Sequence, residues 1–166
     1  MRTIVFLALV LIAILLQTTV FNFLQVAGVK PDLVLMLVVF NGFLRGSREG
    51  AFLGFLAGLL LDIFTGSYIG MNALSKMLAG YLVGLAEARF YKESVLIVSL
   101  VTFMVGILHQ LLLYALLFHL DIEIPPYYVL SQVIFPAAIY TSLLVPLTFW
   151  KFYHSNEKGW LREREP

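Results

Sequence analysis

Six apolar blocks follow one another along the chain, separated by short polar or glycine- and proline-containing connections. They cover residues 3–21, 31–44, 49–64, 71–87, 94–119 and 127–152. Apolar runs of this kind are typical of membrane-crossing helices, which need about 20 residues to cross the hydrocarbon core. The pattern therefore predicts an all-α integral membrane protein, built as a six-transmembrane-helix bundle over residues 1–153, with a tail at 154–166.

The second and third blocks are shorter than a comfortable span, so a re-entrant hairpin is an alternative for residues 31–64. The tip of such a hairpin would carry Arg45, Arg48 and Glu49. Charged side chains are far less costly in water than at the centre of the bilayer. Two short spans joined by a cytoplasmic loop are therefore the favoured interpretation, with local thinning of the bilayer or shielding by neighbouring helices.

Composition agrees with the pattern and excludes several classes of protein. Hydrophobic residues make up 61% of the chain and charged residues 13%, against about 25% charged in soluble domains. The net charge is only +1 and no basic face is present, so nucleic acid is not expected as a partner. The chain has no cysteine, which excludes disulfides and iron–sulfur clusters. No cofactor is predicted.

The basic residues predict the orientation of the six spans. Only Lys30 falls in a connection on one side, and Lys76 lies within a span. The opposite side collects Arg2, Arg45, Arg48, Arg89, Lys92, Lys151, Lys158, Arg162 and Arg164. Because cytoplasmic loops carry the excess of Lys and Arg, both termini are expected in the cytoplasm, and Asp121 and Glu123 outside.

Small and polar residues recur every four positions in the third and fourth blocks, and form a stripe along each predicted helix. The stripes are Gly50, Gly54, Gly58 and Asp62 in one helix and Asn72, Lys76, Gly80, Gly84 and Ala88 in the other. Such stripes are used for close packing between membrane helices. Packing of these two helices on each other is the first expectation, and assembly with another chain is the alternative.

The short connection between these helices makes them antiparallel, which brings Asp62 close to Asn72 and Lys76. A charge near the middle of the membrane costs roughly 2.5 to 3.5 kcal/mol on insertion scales, so such residues find partners. One interpretation is an ion pair at the outer interface. The other is a polar cluster of Asp62, Asn72, Ser75 and Lys76 that fixes helix packing or forms a recognition site.

No catalytic or metal-binding arrangement is recognisable. His109, Gln110 and Gln132 are further polar candidates within spans, but a single histidine in a bundle is more often a hydrogen-bonded interior residue than a ligand. Neither a paired-carboxylate site nor Ser-His-Asp or His-Glu-x-x-His spacing is present. The chain is therefore not expected to be an enzyme.

Three runs resemble the rod shape-determining protein MreD family of bacteria. They are V-K-P-D-L-V-L from Val29, F-L-R-G-S-R-E-G-A-F-L-G-F-L-A-G-L-L-L-D from Phe43, and G-M-N-A-L-S-K-M-L-A-G-Y from Gly70. Length and the six apolar blocks fit as well. The matched positions are Pro31, Asp32, Arg45, Gly50, Gly54, Gly58, Asp62, Asn72, Lys76 and Gly80. The resemblance assigns them no chemical role.

The resemblance implies a non-catalytic inner-membrane subunit of the rod, or elongation, complex, which acts in lateral peptidoglycan synthesis and rod cell shape. It implies MreC as the direct partner and, through the complex, MreB, RodA and a class B penicillin-binding protein. The family is similar in fold to the substrate-binding subunits of energy-coupling-factor transporters. A subunit that binds or transports a vitamin or a precursor is therefore the alternative function.

Overall fold

The computed structural model describes residues 2–25, 28–66, 68–86, 94–120 and 124–158, which form helices joined by short connections. The helices are α1 (Arg2–Thr18), α2 (Val20–Phe23), α3 (Leu33–Arg45), α4 (Ser47–Thr65), α5 (Met71–Ala86), α6 (Val95–Phe118), α7 (Pro126–Tyr128) and α8 (Phe135–Lys158). A π-helical segment, Val129–Ile134, joins α7 to α8.

Helix α3 is the centre of the bundle, because nearly all of its side chains are buried. It begins at Asp32, whose Oδ1 accepts a hydrogen bond from the backbone N–H of Leu35 at 2.8 Å and so caps the first turn. It ends at Gly46, which has a φ of 88° that L residues rarely adopt. The chain therefore turns within one residue and starts α4 at Ser47.

Contacts between helices give their relative directions. Gly50 lies against Gly80, and Gly58 against Asn72, so α4 and α5 are antiparallel. The rings of Phe40 and Phe149 are 5.1 Å apart. At the other end of this helix pair, the Thr141 hydroxyl meets the backbone of Asp32, so α3 and α8 run in the same direction.

Proline shapes the last helical region. Pro126 lies at its first turn, where its missing N–H costs nothing, and Pro146 lies inside α8. The π-helical segment ends two residues before Pro136. A proline ring in a helix clashes with the carbonyl four residues earlier, and a wider turn relieves that clash.

The bundle places apolar side chains on its outside and polar side chains inside. Ile4, Ile69, Leu96 and Leu147 are each more than 70% exposed, whereas Asp62 and Lys76 are fully buried. Two helical stretches, Val95–Phe118 and Pro126–His154, are long and apolar enough to cross a membrane. An apolar exterior with a polar interior suits a protein whose solvent is lipid.

The structure confirms an all-α fold with six principal helices, two of which have the length and composition of membrane spans. The six crossings themselves and the orientation stay predictions. Helix α8 continues to Lys158, beyond the predicted span end at residue 152, so the first residues of the predicted tail are helical. Ala88, Arg89, Lys92, Asp121, Glu123, Arg162 and Arg164 lie outside the described residues.

Candidate functional site

Helices α4 and α5 approach so closely that there is no room for a Cβ at the glycines of their contact. A Cβ added to Gly54 would overlap the backbone carbonyl of Lys76, and one added to Gly58 would overlap that of Asn72. A Cβ on Gly80 would in turn overlap the carbonyl of Gly50. The two backbones are therefore in direct contact along the stripe, as in membrane helix pairs built on small residues.

The stripe also packs against the end of α3. A Cβ on Gly84 would overlap the backbone of Gly46 and Ser47, and one on Gly42 would lie 2.8 Å from the carbonyl oxygen of Gly80. Gly50, Gly54, Gly58, Gly80 and Gly84 are all buried. The stripe thus serves packing within the chain, and its buried face is not available to a second protein.

Asp62 holds the start of α5. Its carboxylate accepts backbone hydrogen bonds from Gly70 at 2.9 Å, Asn72 at 3.3 Å and Ala73 at 3.2 Å. It also accepts one from the side-chain amide of Asn72 at 2.9 Å. A carboxylate at a helix N-terminus satisfies N–H groups that have no partner within the helix. Asp62 therefore fixes the turn between α4 and α5.

The ammonium of Lys76 lies at the centre of a buried cluster. Its Nζ is 2.7 Å from Oδ2 of Asp32 and 3.1 Å from Nε2 of His109. It also donates to Oδ1 of Asn72 at 3.2 Å, and Nδ2 of the same amide donates to Asp62. Asn72 thus connects the ammonium to the second carboxylate. We call Asp32, Asp62, Asn72, Lys76 and His109 the charged cluster.

His109 contributes one ring nitrogen to two interactions. Its Nε2 lies 3.3 Å from Oδ2 of Asp32 as well as 3.1 Å from Lys76. A neutral imidazole nitrogen either accepts a hydrogen bond from the ammonium or donates one to the carboxylate, but does not do both. Its Nδ1 is buried and has no hydrogen-bond partner among the described residues.

Asp32 ties the charged cluster to a further helix. Its backbone N–H donates to the Thr141 hydroxyl of α8 at 3.0 Å, while its side chain caps α3 and binds Lys76 of α5. His109 belongs to α6 and Asp62 to α4. One set of buried polar groups therefore joins α3, α4, α5, α6 and α8 at one level of the bundle.

Ser75 lies beside this cluster without taking part in its ion pairs. Its hydroxyl donates to the backbone carbonyls of Met71 and Asn72, at 2.8 and 3.3 Å. A serine hydroxyl inside a helix commonly donates its hydrogen bond to a carbonyl of the preceding turn in this way. The predicted polar cluster thus forms around Asn72 and Lys76, and Ser75 is a neighbour of it.

The predicted cytoplasmic loop is the junction of α3 and α4. Arg45 Nη1 lies 3.7 Å from Oε2 of Glu49, one helical turn further on, and the arginine side chain is only 10% exposed. Arg48 follows in the first turn of α4. The two helices meet through Gly46 alone, so there is no extended loop at this place.

The place of Asp32 in the charged cluster was not predicted from the sequence. The sequence predicts that Lys76 meets Asp62, and the structure places Asp32 at 2.7 Å from its ammonium and links Asp62 to it through Asn72. The Pro31-Asp32 pair before an apolar block signals a capped helix start. Nothing in the chain pattern indicates that this cap also faces α5, 44 residues away.

Chemically, the charged cluster is a closed arrangement. Lys76, Asp62 and His109 are at most 2% exposed, and their polar groups, apart from Nδ1 of His109, bind one another and the backbone. Breaking a buried pair by removing one partner leaves an uncompensated charge, at a cost of about 3–5 kcal/mol. The arrangement is suited to holding five helices in one register.

Comparison with known proteins adds a family. Neither a curated protein nor a solved structure matches the chain. The rod shape-determining protein MreD family matches residues 1–155 of the 166, which is nearly the whole chain. Both the packed stripe and the charged cluster lie within the matched part. The chain therefore belongs to the MreD family of rod shape-determining membrane proteins.

Proposed function

We propose that this protein is a non-catalytic scaffold of the inner membrane, in which six helices cross the bilayer and both termini lie in the cytoplasm. In the proposal it binds the single-pass protein MreC and, through the rod complex, acts with MreB, RodA and a class B penicillin-binding protein. By holding these partners together it supports lateral peptidoglycan synthesis and rod shape.

The observation that carries the proposal is the division between interior and surface. The buried charged and polar side chains bind one another between helices, and Lys76 lies at the centre of these contacts. The outside of the bundle presents apolar side chains, such as Phe52 on α4, Leu100 on α6 and Leu147 on α8. A rigid interior beneath an apolar surface is what a scaffold needs to hold a membrane-spanning partner, because partner helices pack on lipid-facing side chains.

The small-molecule alternative has weaker support. It requires a closed polar cavity around Asn72, Ser75, Lys76 and His109, rather than a groove open to lipid. Ser75, Lys76 and His109 are at most 2% exposed, and the hydrogen bonds of the cluster join its members to each other. Binding of a vitamin there would require these bonds to be broken, so the scaffold is the better proposal.

The test combines complementation with crosslinking. In a rod-shaped bacterium whose own MreD is depleted, the chain is expected to restore rods. A photo-crosslinking amino acid is placed in turn at Ile4, Phe52, Leu100 and Leu147, one on each of four exposed helix faces. We expect MreC to be captured from one face and not from the others.

Two results would contradict the proposal. Spherical cells with normal amounts of the chain in the membrane would remove the role in cell shape. Restored rods without capture of MreC from any of the four faces, and without MreC in the purified complex, would remove the direct partner. A Lys76→Met variant that still restores rods would separate the charged cluster from the function.

A further inference from the structure

A cleft of about 340 Å³ lies between α1 and α8. Helix α1 packs against α3 and α4, and α8 packs against α3 and α6, but α1 and α8 do not pack against each other within the described residues. The buried side chains of Leu33, Met36 and Phe40 on α3 form its floor. The cleft is therefore open at the side of the bundle, where an apolar protein surface meets lipid.

One end of the cleft is closed. Beyond the end of α1, Phe21 packs edge to face against Tyr140 of α8, with ring centres 6.3 Å apart. The Tyr140 hydroxyl donates to the backbone carbonyl of Leu24 at 3.0 Å. Gln17 closes the same end from α1, since its side chain accepts from the backbone N–H of Leu33. A chain lying in the cleft therefore cannot pass this end.

The other end carries a positive charge. Lys151 of α8 lines the cleft there, and its side chain is exposed. The side chain makes no ion pair or hydrogen bond with the described residues. Arg45, which ends α3 at the same end of the bundle, is 10% exposed and lies beside Glu49. Among the side chains that the structure describes, Lys151 is thus the cation that lines the cleft.

We propose that this cleft binds one acyl chain of an anionic phospholipid, whose phosphate lies against Lys151. The floor is apolar over the eight residues from Leu33 to Phe40, about 10 Å of helix from the first to the last, which suits a hydrocarbon chain. Basic residues at the mouth of a pocket between membrane helices recognise anionic headgroups. Volumes of ligand pockets start at about 300 Å³, so a cleft of about 340 Å³ lies within the range of ligand sites.

A partner helix fits this cleft less well. A helix with its side chains is about 10–12 Å across and, in a membrane, must continue through the whole hydrocarbon layer. The contacts of Tyr140 with Phe21 and Leu24 close that path. An acyl chain is narrower and ends within the bilayer. The phospholipid that carries it also has a phosphate, whose negative charge complements that of Lys151.

The test is native mass spectrometry of the full chain, titrated in one detergent with dioleoyl phosphatidylglycerol or with dioleoyl phosphatidylcholine. These lipids share their acyl chains and differ in net charge. We expect the anionic lipid to bind about fivefold more tightly, and Lys151→Gln to remove this difference. Ile12→Trp combined with Leu16→Trp fills the rim of the cleft, since the two replaced side chains are 53% and 41% exposed. We expect this double variant to bind both lipids about tenfold more weakly.

Matched controls are Arg48→Gln, a basic residue away from the cleft, and Leu147→Trp, an exposed residue of α8 that does not line it. Both should bind like the wild type. Because every substituted side chain is at least partly exposed, circular dichroism should show folded protein in each case. Equal binding of the two lipids by the wild type, or binding that neither Lys151→Gln nor the tryptophans change, would overturn the proposal.

Discussion

Lys76 and Asp32 form a buried ion pair between α5 and α3, with Nζ and Oδ2 2.7 Å apart. The lysine side chain is fully buried and that of the aspartate 12% exposed. The same carboxyl group caps α3 through its other oxygen. Asp32 therefore sets both where α3 begins and which helix it faces. Substitution of either Asp32 or Lys76 should destabilise the packing of several helices.

Lys76→Met should destabilise the bundle by about 3–5 kcal/mol, because it leaves Asp32 buried without its cation. The measurement is thermal unfolding in detergent. Asp32→Asn combined with Lys76→Met should recover part of the loss, since neither charge then remains unpaired. Lys151→Met, which removes an exposed lysine, is the control. A stability of Lys76→Met equal to that of this control would refute a stabilising role of the ion pair.

Gly58→Ala should destabilise the protein although it adds a single methyl group. Its Cβ would overlap the backbone of Asn72 and Ala73, and backbone atoms cannot swing aside as a side chain can. Gly54→Leu and Gly58→Leu should prevent folding altogether. Gly106→Ala is the matched control, because its Cβ would lie 3.4 Å from Ala138. The measurements are the expression level and the unfolding temperature of each variant. Equal unfolding temperatures of Gly58→Ala and Gly106→Ala would contradict the close contact.

Asp62→Ala should loosen the start of α5. The backbone N–H groups of Gly70, Asn72 and Ala73 lose a shared acceptor. Removal of a helix cap costs about 0.5–2 kcal/mol of stability. Hydrogen exchange should rise in residues 70–76 more than elsewhere. Ser75→Ala, which removes only hydroxyl bonds to the preceding turn, should leave that exchange nearly unchanged. Unaltered exchange in Asp62→Ala would show that the turn does not depend on its carboxylate.

The proposed six-span orientation can be tested with single cysteines, because the natural chain has none. Cysteine at Tyr68, between α4 and α5, should react with a membrane-impermeant maleimide added to intact cells whose outer membrane is permeable to it. Cysteine at Arg48 should react only after the inner membrane is opened, since the Lys and Arg bias places it inside. The reverse labelling would invert the orientation, and a cysteine at position 48 that stays unreactive after the inner membrane is opened would favour the re-entrant hairpin, whose tip lies within the bilayer.

Much of the fold follows from local pattern. Apolar blocks bounded by Pro31 and Gly46 define α3, since proline and glycine act on the backbone at their own positions. The four-residue spacing of Gly50, Gly54 and Gly58 indicates a face for close packing, because the α-helix brings such residues to one side. The antiparallel pairing with α5 follows from the short connection.

The sequence alone determines a membrane composition, the approximate helices and the face on which α4 and α5 meet, since each depends on residues close together in the chain. Only the tertiary structure decides that Lys76 binds Asp32 and His109, and that α1 and α8 leave a cleft. Those contacts join residues far apart in the chain, and side-chain spacing along one helix carries no information about which distant helix will face it.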